Sequence, residues 1–91
     1  MQPMTVQEIA AAVDGVWLNP GPKVPVVRAV CTDSRKVLRE SLFLPWVGER
    51  FDGHDFAAKA LELGAAAVVV DRDLGLPRQI RVEDTHAAYP L

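Results

Sequence analysis

Six consecutive apolar residues, Ala65-Ala66-Ala67-Val68-Val69-Val70, constrain this chain more than any other feature. A strand with one wet face alternates polar and apolar positions, and this run does not alternate. It therefore needs cover on both faces, which is the situation of a parallel strand inside an α/β sheet. It also falls far short of the ~20 residues of a membrane-spanning helix. Upstream, Phe56, Ala57, Ala60, Leu61 and Leu63 recur at helical spacing, and Gly64 stops that helix. A further apolar segment, residues 42–47, precedes it. Strand, helix and strand in that order make a crossover unit. The expected fold is α/β, a small mixed β-sheet flanked by helices, and 91 residues are one domain's worth, spanning 1–91.

The remaining elements follow from shorter signals. Thr5 with Glu8 three residues later is a capping-box pattern, and Val6, Ile9, Ala10 and Val13 mark one apolar helical face behind it. Asp14-Gly15 ends that helix, with Gly15 expected in the left-handed conformation. Residues 16–18 and 79–82 read as short strands, and residues 24–32 as one continuous strand rich in β-branched side chains. Asn19-Pro20-Gly21-Pro22 reads as a turn. Pro45 places the 42–47 strand at a sheet edge or ends it early. Asp52 is the expected N-cap of the middle helix, and Thr85 the cap of a last one.

Composition excludes several classes. Ten Lys plus Arg against twelve Asp plus Glu leave a net charge of −2, so the chain lacks the cationic surplus of a nucleic-acid or acidic-membrane binder. The single Cys, Cys31, has no partner for an intrachain disulfide, and a reducing, cytoplasmic setting is expected. The opening Met1-Gln2-Pro3-Met4 does not read as the start of a signal peptide. Isolated His54 and His86 give no metal-ligand spacing, and no Gly-x-x-x-x-Gly-Lys-Ser/Thr phosphate loop is present. No catalytic residue is assigned.

Two polar segments follow strands: Thr32-Asp33-Ser34-Arg35, and Gly48-Glu49-Arg50-Phe51-Asp52-Gly53-His54. Ligands of open α/β sheets bind beyond the carboxyl ends of the strands. Phe51 offers an aromatic face to a base or sugar, and Arg35 and Arg50 offer guanidinium groups to phosphate, so a nucleotide-like occupant suits them. The plainer readings stand beside this one. Asp33 and Ser34 bond their own backbone, Arg35 pairs with a nearby Asp, Cys31 is a buried inert thiol, and Trp17 and Trp46 belong to the core.

In order along the chain, these segments together with Leu42-Phe43 and residues 64–70 resemble the N-terminal domain of the Mur ligases, the ATP-dependent amide-bond-forming enzymes of peptidoglycan precursor synthesis. The string running from Gly48 to Phe56 is most similar to that of the members that add D-alanyl-D-alanine to UDP-N-acetylmuramoyl-tripeptide. Met4-Thr5-Val6-Gln7-Glu8-Ile9-Ala10 and Val82-Glu83-Asp84-Thr85 are similar as well. The resemblance implies a domain that holds the UDP end of a UDP-N-acetylmuramoyl-peptide. Thr32, Asp33, Ser34 and Arg35 would form one wall of the uridine site, and Gly48, Glu49, Arg50 and Phe51 the other. It implies no cofactor in these 91 residues, ATP and Mg2+ being held by a central domain of the full-length ligase, and partnership with that domain and a C-terminal one.

The chain departs from the family pattern in three places, the last being Tyr89-Pro90 where an Ala-Leu pattern is usual. Arg39-Glu40-Ser41 stands where a Pro-Gly-Asp turn is usual before Leu-Phe, and Phe43-Leu44-Pro45-Trp46 stands where Phe-Val-Ala-Leu is usual. The second change favours an alternative, a non-catalytic interaction or folding module with an altered pocket. A further alternative is the same domain of the members that add the third peptide residue.

Overall fold

The structure, a computed structural model, describes residues 3–18, 25–45 and 56–83. A short strand β1 (Met4–Thr5) leads directly into helix α1 (Val6–Ala12). The capping box forms as expected: Thr5 Oγ1 accepts the Glu8 amide at 3.1 Å, and Glu8 Oε1 accepts the Thr5 amide at 3.1 Å. Val6, Ile9 and Ala10 are buried and Val13 packs against them. The helix ends in a Schellman arrangement, with the Asp14 amide on the Ala11 carbonyl (3.3 Å) and the Gly15 amide on the Ala10 carbonyl (2.8 Å). The left-handed residue is Asp14 (φ 54°), not Gly15. Gly15 is required for a different reason: a Cβ there would lie 2.7 Å from Ile80 Cγ2 and 3.1 Å from the Arg81 carbonyl oxygen.

Strands β2 (Val16–Leu18), β3 (Val26–Val27), β4 (Ala29–Cys31), β5 (Ser41–Phe43), β6 (Ala67–Val70) and β7 (Gln79–Arg81) complete the sheets, with helix α2 (Ala57–Glu62) between β5 and β6. The strand expected over residues 24–32 is two strands, because the chain changes sheets at Arg28. β3 pairs antiparallel with β1, Val26 opposite Thr5, whereas β4 joins the main sheet. The main sheet runs β2-β7-β6-β5-β4, with β4 to β7 mutually parallel and β2 antiparallel to β7. β5 is therefore an interior strand. It stops at Phe43, so Pro45 marks an early end rather than an edge.

Period-two alternation divides the interior strands between two apolar layers. Leu42, Leu44, Ala67, Val69, Ile80 and Val82 pack toward α1, and Phe43, Val68 and Val70 pack toward α2. All four residues of β6 are fully buried, as the apolar run demanded. Trp17 packs on the α1 side. On α2 only Ala57 and Ala60 are buried. Phe56 and Leu63, expected on its apolar face, are 39% and 42% exposed. The residue before its first α-helical turn, Phe56, makes no side-chain cap bond. Asp52, like the 19–22 turn, Trp46, His54, the Thr85 cap and His86, lies outside the described residues. Gly64 ends α2 with φ 109°, as expected. No helix among the described residues is long and apolar enough to cross a membrane.

Glu40, at the position where the turn lacks a glycine, adopts left-handed backbone with φ 61°. Its carbonyl accepts the Arg28 amide at 2.7 Å, and its carboxylate pairs with the Arg28 guanidinium. A Cβ in this region is strained by about 1 kcal/mol or more. Glu40→Gly and Glu40→Ala both delete the exposed ion pair, but only Gly relieves the backbone. Urea unfolding should find the Gly variant more stable than the Ala variant by about 1 kcal/mol. Equal midpoints would mean that the turn relaxes out of the left-handed region.

Candidate functional site

Parallel strands point the same way, so the carboxyl ends of β4 to β7 share one edge of the sheet. At that edge β4 runs into residues 32–36, and the neighbouring β5 runs into Leu44 and Pro45. The Leu44 amide donates to the Cys31 carbonyl at 2.9 Å and ties the two exits together. The first polar segment singled out in the sequence thus leaves the end of β4, and the chain leading toward the second leaves the adjacent end of β5. The second lies within residues 46–55, so Gly48, Glu49, Arg50 and Phe51 lie outside the described residues.

The first segment folds as a 3₁₀ turn over Ser34–Lys36 with Asp33 at its N-cap. Asp33 Oδ1 accepts the Arg35 amide at 2.9 Å. The Arg35 guanidinium closes on the same carboxylate, Nε to Oδ1 at 3.1 Å and Nη2 to Oδ2 at 3.1 Å. The Asp33 carbonyl accepts the Lys36 amide at 3.0 Å and the Cys31 thiol at 3.0 Å. The short polar side chain of Asp33 favours such local backbone bonds, which is why an Asp here breaks the strand. Helix α2 packs against the turn from behind, and Val37 joins the layer formed by Ala57 and Ala60. Thr32 is exposed at the strand end.

Of the two readings open for Arg35, the structure shows the internal pair. Cys31 is half-buried rather than sealed in the core, and its thiol is engaged by the turn. Sequence reasoning foresaw Asp33 bonding its own backbone. It did not foresee that Cys31 and Arg35 converge on the same residue, because that requires the turn geometry. Among the described residues no group of three or more His, Cys, Asp or Glu is placed to hold a metal ion.

The side-chain bonds from Arg35, with its amide and positive charge, hold the Asp33 carboxyl down to about 2 from its ordinary 3.8. A depressed carboxyl contributes stability that is complete above its unfolded value and is lost as pH falls toward its folded one. The turn should therefore keep its order down to about pH 4 and lose it toward pH 2. Carbon-detected NMR of the Asp33 carboxyl should show a midpoint near 2, moving back up toward 3.8 in Arg35→Gln. A midpoint unmoved by that substitution would remove Arg35 as the cause.

A sequence model described as the Mur ligase family, catalytic domain, matches residues 26–88. The chain belongs to the Mur ligase family. Residues 26–88 contain no Gly-x-x-x-x-Gly-Lys-Ser/Thr string. The chain is 44% identical over 88 residues to the UDP-N-acetylmuramoyl-tripeptide–D-alanyl-D-alanine ligase of Bacillus subtilis strain 168, covering 92% of this chain and 19% of that ligase. It is 40% identical over 73 residues to the UDP-N-acetylmuramoyl-L-alanyl-D-glutamate–2,6-diaminopimelate ligase of Geobacillus thermodenitrificans, covering 80% and 15%. Its fold matches a crystal structure of MurF from Acinetobacter baumannii with a TM-score of 0.84 at 32% identity, over 97% of this chain and 20% of that one. The architecture is that of a Mur ligase N-terminal domain. The chain spans about a fifth of the length of these relatives.

Proposed function

We propose that this Mur ligase domain binds the UDP end of UDP-N-acetylmuramoyl-tripeptide within a ligase that adds D-alanyl-D-alanine to it, a step of peptidoglycan synthesis in the cytoplasm. The observation that carries the reading is the 44% identity, across nearly the whole chain, to a relative named for that reaction. The site suits it. Residues 32–36 leave a parallel strand end beside the exit of β5, where α/β sheets receive ligands. The Thr32 hydroxyl both donates and accepts, as the mixed donor and acceptor edge of uracil requires. In this reading Thr32, Ser34, Gly48, Glu49, Arg50 and Phe51 contact the uridine, as the family resemblance implies. Asp33 and Arg35 shape the turn. ATP and Mg2+ belong to other parts of the ligase, and this chain alone performs no chemistry.

An amide-shift titration of the 91-residue chain tests this, first with UDP and then with UDP-N-acetylmuramoyl-tripeptide. Saturable shifts confined to residues 32–35 and 48–54 are expected. A folded spectrum without shifts at millimolar ligand would favour an interaction module instead.

The second reading is the same domain of a third-residue-adding ligase, favoured by the 40% identity to the diaminopimelate ligase. Transplanting the chain in place of the matching segment of each relative separates the two. The D-alanyl-D-alanine-adding chimera should keep its KM for the UDP substrate, and the diaminopimelate-adding chimera should lose it. The reverse result would select the second reading.

A further inference from the structure

We propose that Asp33 and Arg35 act as one positioning element, holding the 32–36 turn in its ligand-receiving shape while neither side chain touches the nucleotide. The inference rests on the nucleotide-binding reading. Five hydrogen bonds converge on Asp33: the Arg35 amide, Nε and Nη2 on its carboxylate, and the Lys36 amide and Cys31 thiol on its carbonyl. The carboxylate is committed within the turn on both of its oxygens. The Nε and Nη2 edge of the guanidinium, which would chelate a phosphate side-on, is already engaged by Asp33.

Exposure decides what such a pair is for. The Arg35 side chain is 86% exposed, and exposed pairs add little to global stability because water screens them and ordering the side chain costs entropy. Its value is geometric. A planar fork fixes Arg35 against Asp33 in one orientation, and the same carboxylate fixes the Arg35 amide. The backbone of residues 33–35 is thereby set before a ligand arrives. A lysine cannot reproduce the fork, so charge alone is not sufficient.

The test uses the 91-residue chain with two probes, UDP and uridine, and four variants: Arg35→Gln, Arg35→Lys, Asp33→Asn and the Asp33→Asn/Arg35→Gln double. If the pair only populates the competent turn, apparent affinity falls by the fraction of competent turn lost. Each single variant should weaken UDP and uridine by the same factor, about fivefold for a turn left one-fifth populated. The double variant should be no worse than Asp33→Asn, and melting temperatures should match wild type. The 32–36 amide shifts should move in the ligand-free variants. Loss of UDP binding with uridine spared would place Arg35 on the phosphates and overturn the proposal. Unchanged affinity in every variant, or lower melting temperatures at unchanged affinity, would overturn it too. A folded wild-type chain that binds neither probe refutes the nucleotide reading itself, and the proposal with it.

Discussion

Phe43→Ala should destabilise this domain by about 3–5 kcal/mol, the usual cost of emptying a buried phenylalanine site. Phe43 ends β5, the interior strand between β4 and β6, and is 1% exposed. It faces the layer beneath α2, where the helix contributes only Ala57 and Ala60 as buried residues. Two methyl groups cannot fill the space between a helix and a sheet, so the ring does much of the filling. α2 is six residues long, and Gly64 and Ala65 anchor its end through their bonds to Leu61 and Ala60. It has little freedom to settle into the void. A chain of this length has a total stability of about 5–14 kcal/mol. The variant should therefore show a urea midpoint lowered by about a fifth or more, or no cooperative transition at all. A loss below about 1 kcal/mol would show that α2 collapses onto the sheet and heals the cavity.

Gln79→Leu should cost about 1–3 kcal/mol despite conserving volume and adding apolar surface, because it strands a buried donor. Gln79 is fully buried at the start of β7. Its Oε1 accepts the Leu74 amide at 2.7 Å and its Nε2 donates to Asp73 Oδ1 at 2.7 Å. Asp73 Oδ1 also accepts the Gly75 amide at 2.8 Å. This network organises residues 71–78, which link two parallel strands without a helix. Parallel connections normally use a dozen or more residues. Here Leu74 and Leu76 pack on the α2 layer in the helix's place, and Gln79 pins the segment to the sheet. Besides the lower midpoint, hydrogen exchange at the Leu74 and Gly75 amides should accelerate in the variant. Unchanged exchange at both would show that the network does not hold the segment.

The family is legible in the amino-acid sequence, because its signals are local and ordered. The Gly48–Phe51 string and the 32–35 string are each short, but their order along the chain is specific, and the family match over residues 26–88 agrees with it. The roles inside the first string are not legible there. As residue types, Asp33 and Arg35 look equally available to a ligand. In the 3₁₀ turn the Asp33 carboxylate takes both the Arg35 amide and the Arg35 guanidinium, a combination the residue types do not announce.

The sequence alone determined the elements whose cause lies within a few residues: the Thr5–Glu8 capping box, the Gly64 stop and the doubly covered β6. Hydrogen bonds and apolar periods of that range are written in adjacent letters. Tertiary structure decided the division of residues 26–31 between two sheets, the interior place of β5 and the left-handed backbone of Asp14 and Glu40. It also decided that Gly15 is needed for its lack of a side chain. Apart from Asp14, whose bonds are local, these depend on a partner far along the chain, such as Arg28 for Glu40 or Ile80 for Gly15, and a local pattern carries no information about which distant surface will arrive.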